Sequence, residues 1–164
     1  MNLQIRPGSD HDVEELVRLS LLAWAPIFDS FRQVLGPAIY PILYPDWQRI
    51  QAETVEVFCK ERENTVVLVA ELESNMVGFL VYELNHKDKT GEVQLLAVHP
   101  DYQNQGIGTE LNTFALIKMK EGGMKMAVVG TGGAPAHAPA RRSYEKAGYT
   151  ALPLVRYYQA LSCG

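Results

Sequence analysis

Residues 103–109 read Gln-Asn-Gln-Gly-Ile-Gly-Thr, a composition suited to holding an anion. Gly106 and Gly108 carry no Cβ, so a ligand can come close to the backbone. Behind them Ile107, Leu111, Phe114, Ala115 and Met119 recur at helical spacing, which predicts a helix over 106–121. Ahead of them Glu92 to Val98 reads as a strand halted by His99-Pro100. The first amides of the helix have no intrahelical acceptor and carry partial positive charge, so Gln103, Asn104, Gln105, Gly106, Ile107, Gly108 and Thr109 form a candidate cradle for phosphate or pyrophosphate. A P-loop needs Gly-Lys-Ser/Thr, but Gly108 is followed by Thr109-Glu110. A dinucleotide fingerprint needs a third glycine, and Leu111 holds that place. The pyrophosphate arm of coenzyme A is a third occupant, and a helix-start loop without ligand a fourth reading. On this segment alone the choice stays open.

Two longer blocks carry more. Leu95-Leu96-Ala97-Val98-His99-Pro100 followed by Gln103, Gly106 and Gly108 resembles motif A of the GNAT superfamily of N-acetyltransferases. That motif is Q/R-x-x-G-x-G/A after a strand ending in an apolar run. His137 to Tyr149 is similar to motif B of the same family, N-x-x-A-x-x-x-Y-x-x-x-G-F. Ala140, Tyr144 and Gly148 fall at its spacing, Tyr149 replaces Phe, and His137 stands where Asn is usual. The resemblance covers residues 65–150 well and the helical region 20–60 in outline.

The resemblance implies an α/β (α+β) fold, a mixed, mostly antiparallel sheet of about six or seven strands flanked by about four helices. It implies direct acetyl transfer from acetyl-CoA, as co-substrate, to an amine through a tetrahedral intermediate. Such a site must align amine and thioester, stabilise an oxyanion and manage two protons. By resemblance, Leu96, Ala97 and Val98 lend backbone groups to the pantetheine, and the Val98 amide is the candidate oxyanion donor. The 103–109 loop takes the pyrophosphate, and His137, Ala140 and Tyr144 also contact the cofactor. Tyr144 is the candidate acid for the departing sulfur. Glu92 precedes Gln103 by eleven residues, the spacing of the base in the histone-acetyltransferase branch; a water chain is the alternative base. Glu83, Asp29 and Glu53 are acidic candidates with no motif behind them. The expected acceptor is a small-molecule amine. A protein or peptide amine, or a non-catalytic acyl-CoA-binding module, are the alternatives, and the resemblance makes a homodimer plausible.

Residues 24–58 hold Trp24, Phe28, Phe31, Tyr40, Tyr44, Trp47 and Phe58, seven of the fifteen aromatics. They suit either an acceptor pocket for a cationic amine or helix packing on a sheet. His11, His86, His99 and His137 show no metal-ligand spacing and no Cys joins them, so no metal is expected.

The elements that must position these groups read in order: a strand at 2–6, then helix from 9 or 10 broken at Pro26. A second helix follows at 27–35, stopping at Gly36-Pro37, then an irregular stretch 38–46 and a helix 46–62. Strands are expected at 65–71, 76–84 and 92–98, then the 106–121 helix ended by Gly122-Gly123. A short buried strand 125–129, a helix 138–147 capped by Gly148, and closing strands at 149–151 and 154–161 complete the chain. At 164 residues and 47% apolar content, the chain is read as one domain, 1–164, with a real core. Fifteen basic against nineteen acidic side chains give a net charge of −4, which argues against broad nucleic-acid binding. No apolar run approaches the roughly 18 residues of a membrane span. The N-terminus lacks a signal-peptide pattern, and Cys59 and Cys163 are read as reduced thiols; a cytoplasmic protein is expected.

Overall fold

The computed structural model describes residues 2–61 and 63–161. Five strands form one sheet in chain order: β1 (Leu3–Pro7), β2 (Thr65–Leu72), β3 (Asn75–Asn85), β4 (Thr90–Val98) and β5 (Met126–Val129). Neighbours are antiparallel except β4 and β5, which run parallel. A parallel pair needs a crossover, and helix α3 (Ile107–Glu121) supplies it. Helix α1 (Val13–Leu43) and helix α2 (Trp47–Lys60) precede β2, and helix α4 (Ala138–Lys146) follows β5.

Strand alternation sorts the core into two layers. Val69, Phe79, Val81, Leu95 and Ala97 face Leu16, Leu19 and Val55 of α1 and α2. Leu68, Leu80, Tyr82 and Val93 face Ile107, Leu111, Ala115 and Met119 of α3. A buried hydrogen bond from Gln51 Nε2 to Ser20 Oγ, 2.8 Å, joins α2 to α1.

The β3–β4 register carries a bulge. Val81 pairs with Leu95 but Tyr82 pairs with Val93, so Gln94 is an extra residue on β4. Side chains before and after it therefore change face: Leu95 belongs to the α1 layer and Val93 to the α3 layer.

Several expectations need correction. Helix α1 runs through Pro26 and continues to Leu43 instead of yielding an irregular stretch after 37. Packing on both sides of Pro26, by Leu16, Leu19 and Ser20 before it and Phe28 after it, outweighs the lost hydrogen bond. The expected break at Gly36 is present as a kink, with φ 76° and ψ 178°. Pro37 opens the next segment, where a missing N–H costs nothing. Strand β5 is not buried: it forms an edge with Met126 and Val128 exposed. Among the described residues, 149–161 form no strand, so the sheet has five strands. Cys59 is buried on α2, and Cys163 lies outside the described residues.

At the other sheet edge Arg6 ties β1 to the turn before α1. Its guanidinium donates to both Asp12 oxygens at 2.8 Å and to Glu71 Oε1 at 2.6 Å. Ser9 N–H donates to Asp12 Oδ2 as well, at 2.8 Å. The Arg6 hydrogen bonds hold the Asp12 carboxyl at about 2, against an ordinary value of 3.8. A lowered folded value means that the unfolded chain binds the proton more tightly. The contribution is therefore complete above the unfolded value and disappears as pH falls from about 4 towards 2. Asp12→Ala should cost about 2 kcal/mol at pH 7 and nearly nothing at pH 2, read by urea denaturation at the two pH values. An equal loss at both would remove the ion pair as the cause.

Candidate functional site

Parallel pairing of β4 with β5 covers Thr90 to Val93 and stops there. Beyond the bulge, residues 94–98 keep β3 on one side and have no strand on the other, among the described residues. The His99 N–H donates to Val77 O at 2.8 Å. Alternation along the strand then turns the N–H and C=O of Val98 and Leu96 away from β3, towards the open side. The Val98 carbonyl on that side accepts Gln103 Nε2 at 3.1 Å, which folds the loop back onto the strand end.

The opening is a cleft of about 250 Å³. Leu96, Ala97 and Val98 form one wall; Gln103, Asn104 and Gly106 to Thr109 form the base. Ala140, Arg142, Ser143 and Lys146 of α4 stand across it, and Ala23, Trp24 and Ile27 of α1 close the top.

Local sequence explains the base. His99 Nδ1 accepts the Asp101 N–H at 3.1 Å and caps the turn Pro100–Tyr102. Asn104 (φ 61°) and Gly106 (φ 84°) then take left-handed conformations, turning the chain into α3. The Gly106 carbonyl accepts the Glu110 N–H at 2.9 Å, the first bond of that helix. The amides of Ile107, Gly108 and Thr109 precede it and have no acceptor within the helix. A Cβ on Gly108 would sit 3.4 Å from the Ser143 side chain, so its absence lets α4 pack closely on α3. Asn112, fully buried, bridges the two helices: its Nδ2 donates to Gly108 O at 2.9 Å and to Ser143 Oγ at 3.4 Å.

Two cations complete the cleft. Arg142 and Lys146 are four residues apart on one face of α4. Both line the cleft, and neither has a carboxylate partner among the described residues. Sequence reasoning missed this pair; the four-residue spacing within the motif B helix was its only signal. It also missed Ser143, Asn112 and Trp24, whose buried indole Nε1 has no partner in the protein.

Of the residues expected here, Leu96, Ala97, Val98, Gln103, Asn104, Gly106, Ile107, Gly108, Thr109 and Ala140 come together around the cleft. Gln105 is exposed on the loop and stands off its wall. Tyr144 is buried to 8% exposure beside cleft-lining Ser143 and meets Tyr149 edge to face at 5.9 Å. Burial, then the neighbouring Tyr149, push its phenol well above the ordinary tyrosine value, and burial pushes Tyr149 up to about 12. His137 is buried below Gly132, where a Cβ would stand 2.8 Å from its ring, and lies 5.4 Å from the Phe31 ring. Burial, then Arg141, lower its pKa. Glu92 lies before the bulge, opposite Glu83 on β3 and off the cleft wall. The bulge also gives it the face of Leu95 instead of the parity with Leu96 that the sequence suggests.

The aromatic group mostly packs on itself. Phe28 stacks on Trp47 at 4.4 Å and Phe31 on Tyr44 at 5.3 Å, joining α1 to α2 across the Gly36 kink. Trp24 alone of the group reaches the cleft. Among the described residues, no three His, Cys, Asp or Glu side chains are placed to hold a metal, and no helix is long and apolar enough to cross a membrane.

The profile of the Acetyltransferase (GNAT) family matches residues 30–149. A sequence comparison with curated proteins finds no match. Among solved structures, the PaiA N-acetyltransferase of Thermoplasma acidophilum, in complex with coenzyme A, superposes with TM-score 0.69 at 19% identity, over 92% of this chain and 91% of that one. An aminoglycoside acetyltransferase from an uncultured soil metagenomic sample, in complex with sisomicin, gives 0.65 at 22% identity, over 98% and 97%. The ribosomal-protein-S18-alanine N-acetyltransferase of Escherichia coli gives 0.65 at 17%, over 89% and 76%. At these identities the likeness is one of fold.

A Cβ added at Gly106 would meet nothing within 4 Å, so only its φ of 84° demands glycine. Gly106→Ala should therefore lower stability by about 1 kcal/mol through backbone strain alone, measured by thermal denaturation. An unchanged midpoint would mean the loop relaxes freely.

Proposed function

The chain belongs to the Acetyltransferase (GNAT) family, and on that premise we propose that it moves an acetyl group from acetyl-CoA to the primary amine of a small molecule. The observation carrying this reading is the cleft itself. It joins an open strand edge to a helix N-terminus flanked by two uncompensated cations. A ligand with an amide-bearing arm and a diphosphate matches both halves. The arm would bond to the outward N–H and C=O groups of β4, and the diphosphate would meet the amides of 107–109 with Arg142 and Lys146. Bound there, acetyl-CoA supplies an activated thioester carbonyl.

The protein's own part is position, charge and protons. The outward Val98 N–H is the proposed donor to the oxyanion formed as the amine nitrogen attacks. The C–S bond then breaks and the sulfur takes a proton. Tyr144 is the proposed source, because its phenol stays protonated throughout the physiological range. Glu92, off the cleft wall, would accept the ammonium proton through water. The narrow cleft under Trp24 and Ile27 favours a small acceptor over a folded protein surface. The indole face of Trp24 suits the cationic form in which an amine arrives.

Calorimetric titration should show acetyl-CoA binding, and a panel of amines should show release of free CoA. Replacing both cations, Arg142→Glu with Lys146→Glu, should weaken acetyl-CoA binding by about 100-fold or more, because each charge-assisted bond is lost and repulsion added. No effect would remove the cations from the site. Tyr144→Phe should lower kcat by about 100-fold with unchanged affinity for acetyl-CoA. Unchanged kcat would remove the acid role. Turnover of an N-terminal peptide but of no small amine would favour a peptide acceptor.

A further inference from the structure

Residues 150–161 follow α4 as an extended segment that pairs with no strand among the described residues. The segment keeps company with its own chain at one place: Arg156 Nη1 lies 3.4 Å from Tyr158 Oη, and the pair sits near the Tyr44 phenol at the end of α1. Its apolar side chains are nevertheless in solvent. Leu154 is 83% exposed and Tyr157 is 90% exposed, with Leu152, Val155 and Leu161 close to these values.

The pattern is that of an interior strand. Leu152, Leu154 and Tyr158 fall on one face of an extended chain; Val155, Tyr157 and Leu161 fall on the other. Edge strands alternate with polar residues, whereas runs apolar on both faces belong between two neighbours. Arg156 is the only charge in the segment.

A matching edge exists on the same chain. Strand β5 ends the sheet, and its outer rim of N–H and C=O groups is unpaired. Its sequence, Met-Ala-Val-Val, has no charge and no proline, and Met126 and Val128 are exposed. The opposite edge, β1, carries the usual protections, Arg6 and Pro7.

We propose that two copies of this chain exchange residues 152–161, each adding its segment as a strand to the exposed β5 edge of the other. The occupant is a second copy because the missing strand is one that the chain itself carries, uncovered. A twofold arrangement lets each copy give a strand and receive one, so both open edges close together. Docking on its own β5 would leave the segment as a new edge, with its outer rim still open. This inference concerns assembly and is independent of the acceptor and of the proton donors proposed above.

Sedimentation equilibrium of the full chain at micromolar concentration should give about twice the 18.3 kDa chain mass. Leu154→Asp, Tyr157→Asp and Val128→Asp should each shift the protein to the single-chain mass. Leu154 and Tyr157 touch solvent in one chain, so charge there does not disturb the folded unit. A single-chain mass for the unaltered protein, or a dimer indifferent to all three substitutions, would overturn the proposal. As a readout that does not depend on variant stability, copies carrying Met126→Cys are mixed with copies carrying Val155→Cys, both with Cys163→Ser, and oxidised. Exchange predicts a disulfide-linked two-chain band from the mixture and none between these positions in either population alone. If one chain carrying both cysteines closes the bond within itself, the segment folds back in cis and the proposal fails.

Discussion

The parting of β4 from β5 after Val93 governs the rest of the molecule. Backbone groups in a sheet interior are consumed by their neighbours, and nothing can bind there. Here one extra residue, Gln94, bends β4 at the point where the parallel pairing ends. The strand keeps its antiparallel partner, so it stays rigid, while Leu96 and Val98 turn hydrogen-bonding groups to an opening. The cleft is thus made of backbone and depends little on which apolar side chains cover it. Packing and binding use different atoms of the same residues: Ala97 is nearly fully buried in the core and also lines the cleft.

The remaining elements fix the shape of that opening. Asn104 and Gly106 turn the chain so that α3 starts at its foot, with its unbonded amides towards it. Gly108 and Ser143 allow α4 to come close, and buried Asn112 holds the pair by hydrogen bonds to both. Arg141 donates to the carbonyls of Gly132 and Ala134, at 2.6 and 2.8 Å, and fastens the loop leading into α4. Above, α1 passes over the cleft despite Pro26, because apolar burial on either side offsets the one hydrogen bond a proline removes. The aromatic stack of Phe28 on Trp47 and Phe31 on Tyr44 then makes α1 and α2 one body.

The placement of the acid-base candidates follows from the same geometry. Tyr144 and cleft-lining Ser143 are adjacent on α4 and so point about 100° apart, which puts the phenol among buried groups beside the cleft. That burial keeps it protonated. Glu92 stands on the far side of the bulge from Val98, across from Glu83, where two carboxylates face each other. His137 spends its ring on packing against Phe31 and Gly132.

Much of this was legible in the sequence because it rests on short-range rules. The 106–121 helix and its glycine start, the Gly36 break and the strands from 65 to 98 follow from periodicity and from backbone conformations only glycine adopts readily. The two motif blocks located the cleft wall, its base and Ala140 for the same reason: each is contiguous in the chain. What sequence could not decide depends on residues far apart. Whether Pro26 ends a helix is set by burial on the sheet, which a local window does not contain. The bulge at Gln94 is a relation between two strands, so it reversed the face of Glu92 without a local sign. The pairing of Arg142 and Lys146 with the start of α3 needs two helices brought together. The segment after Thr150 has a strand's composition, yet a strand exists only against a partner, and within one chain the fold provides none.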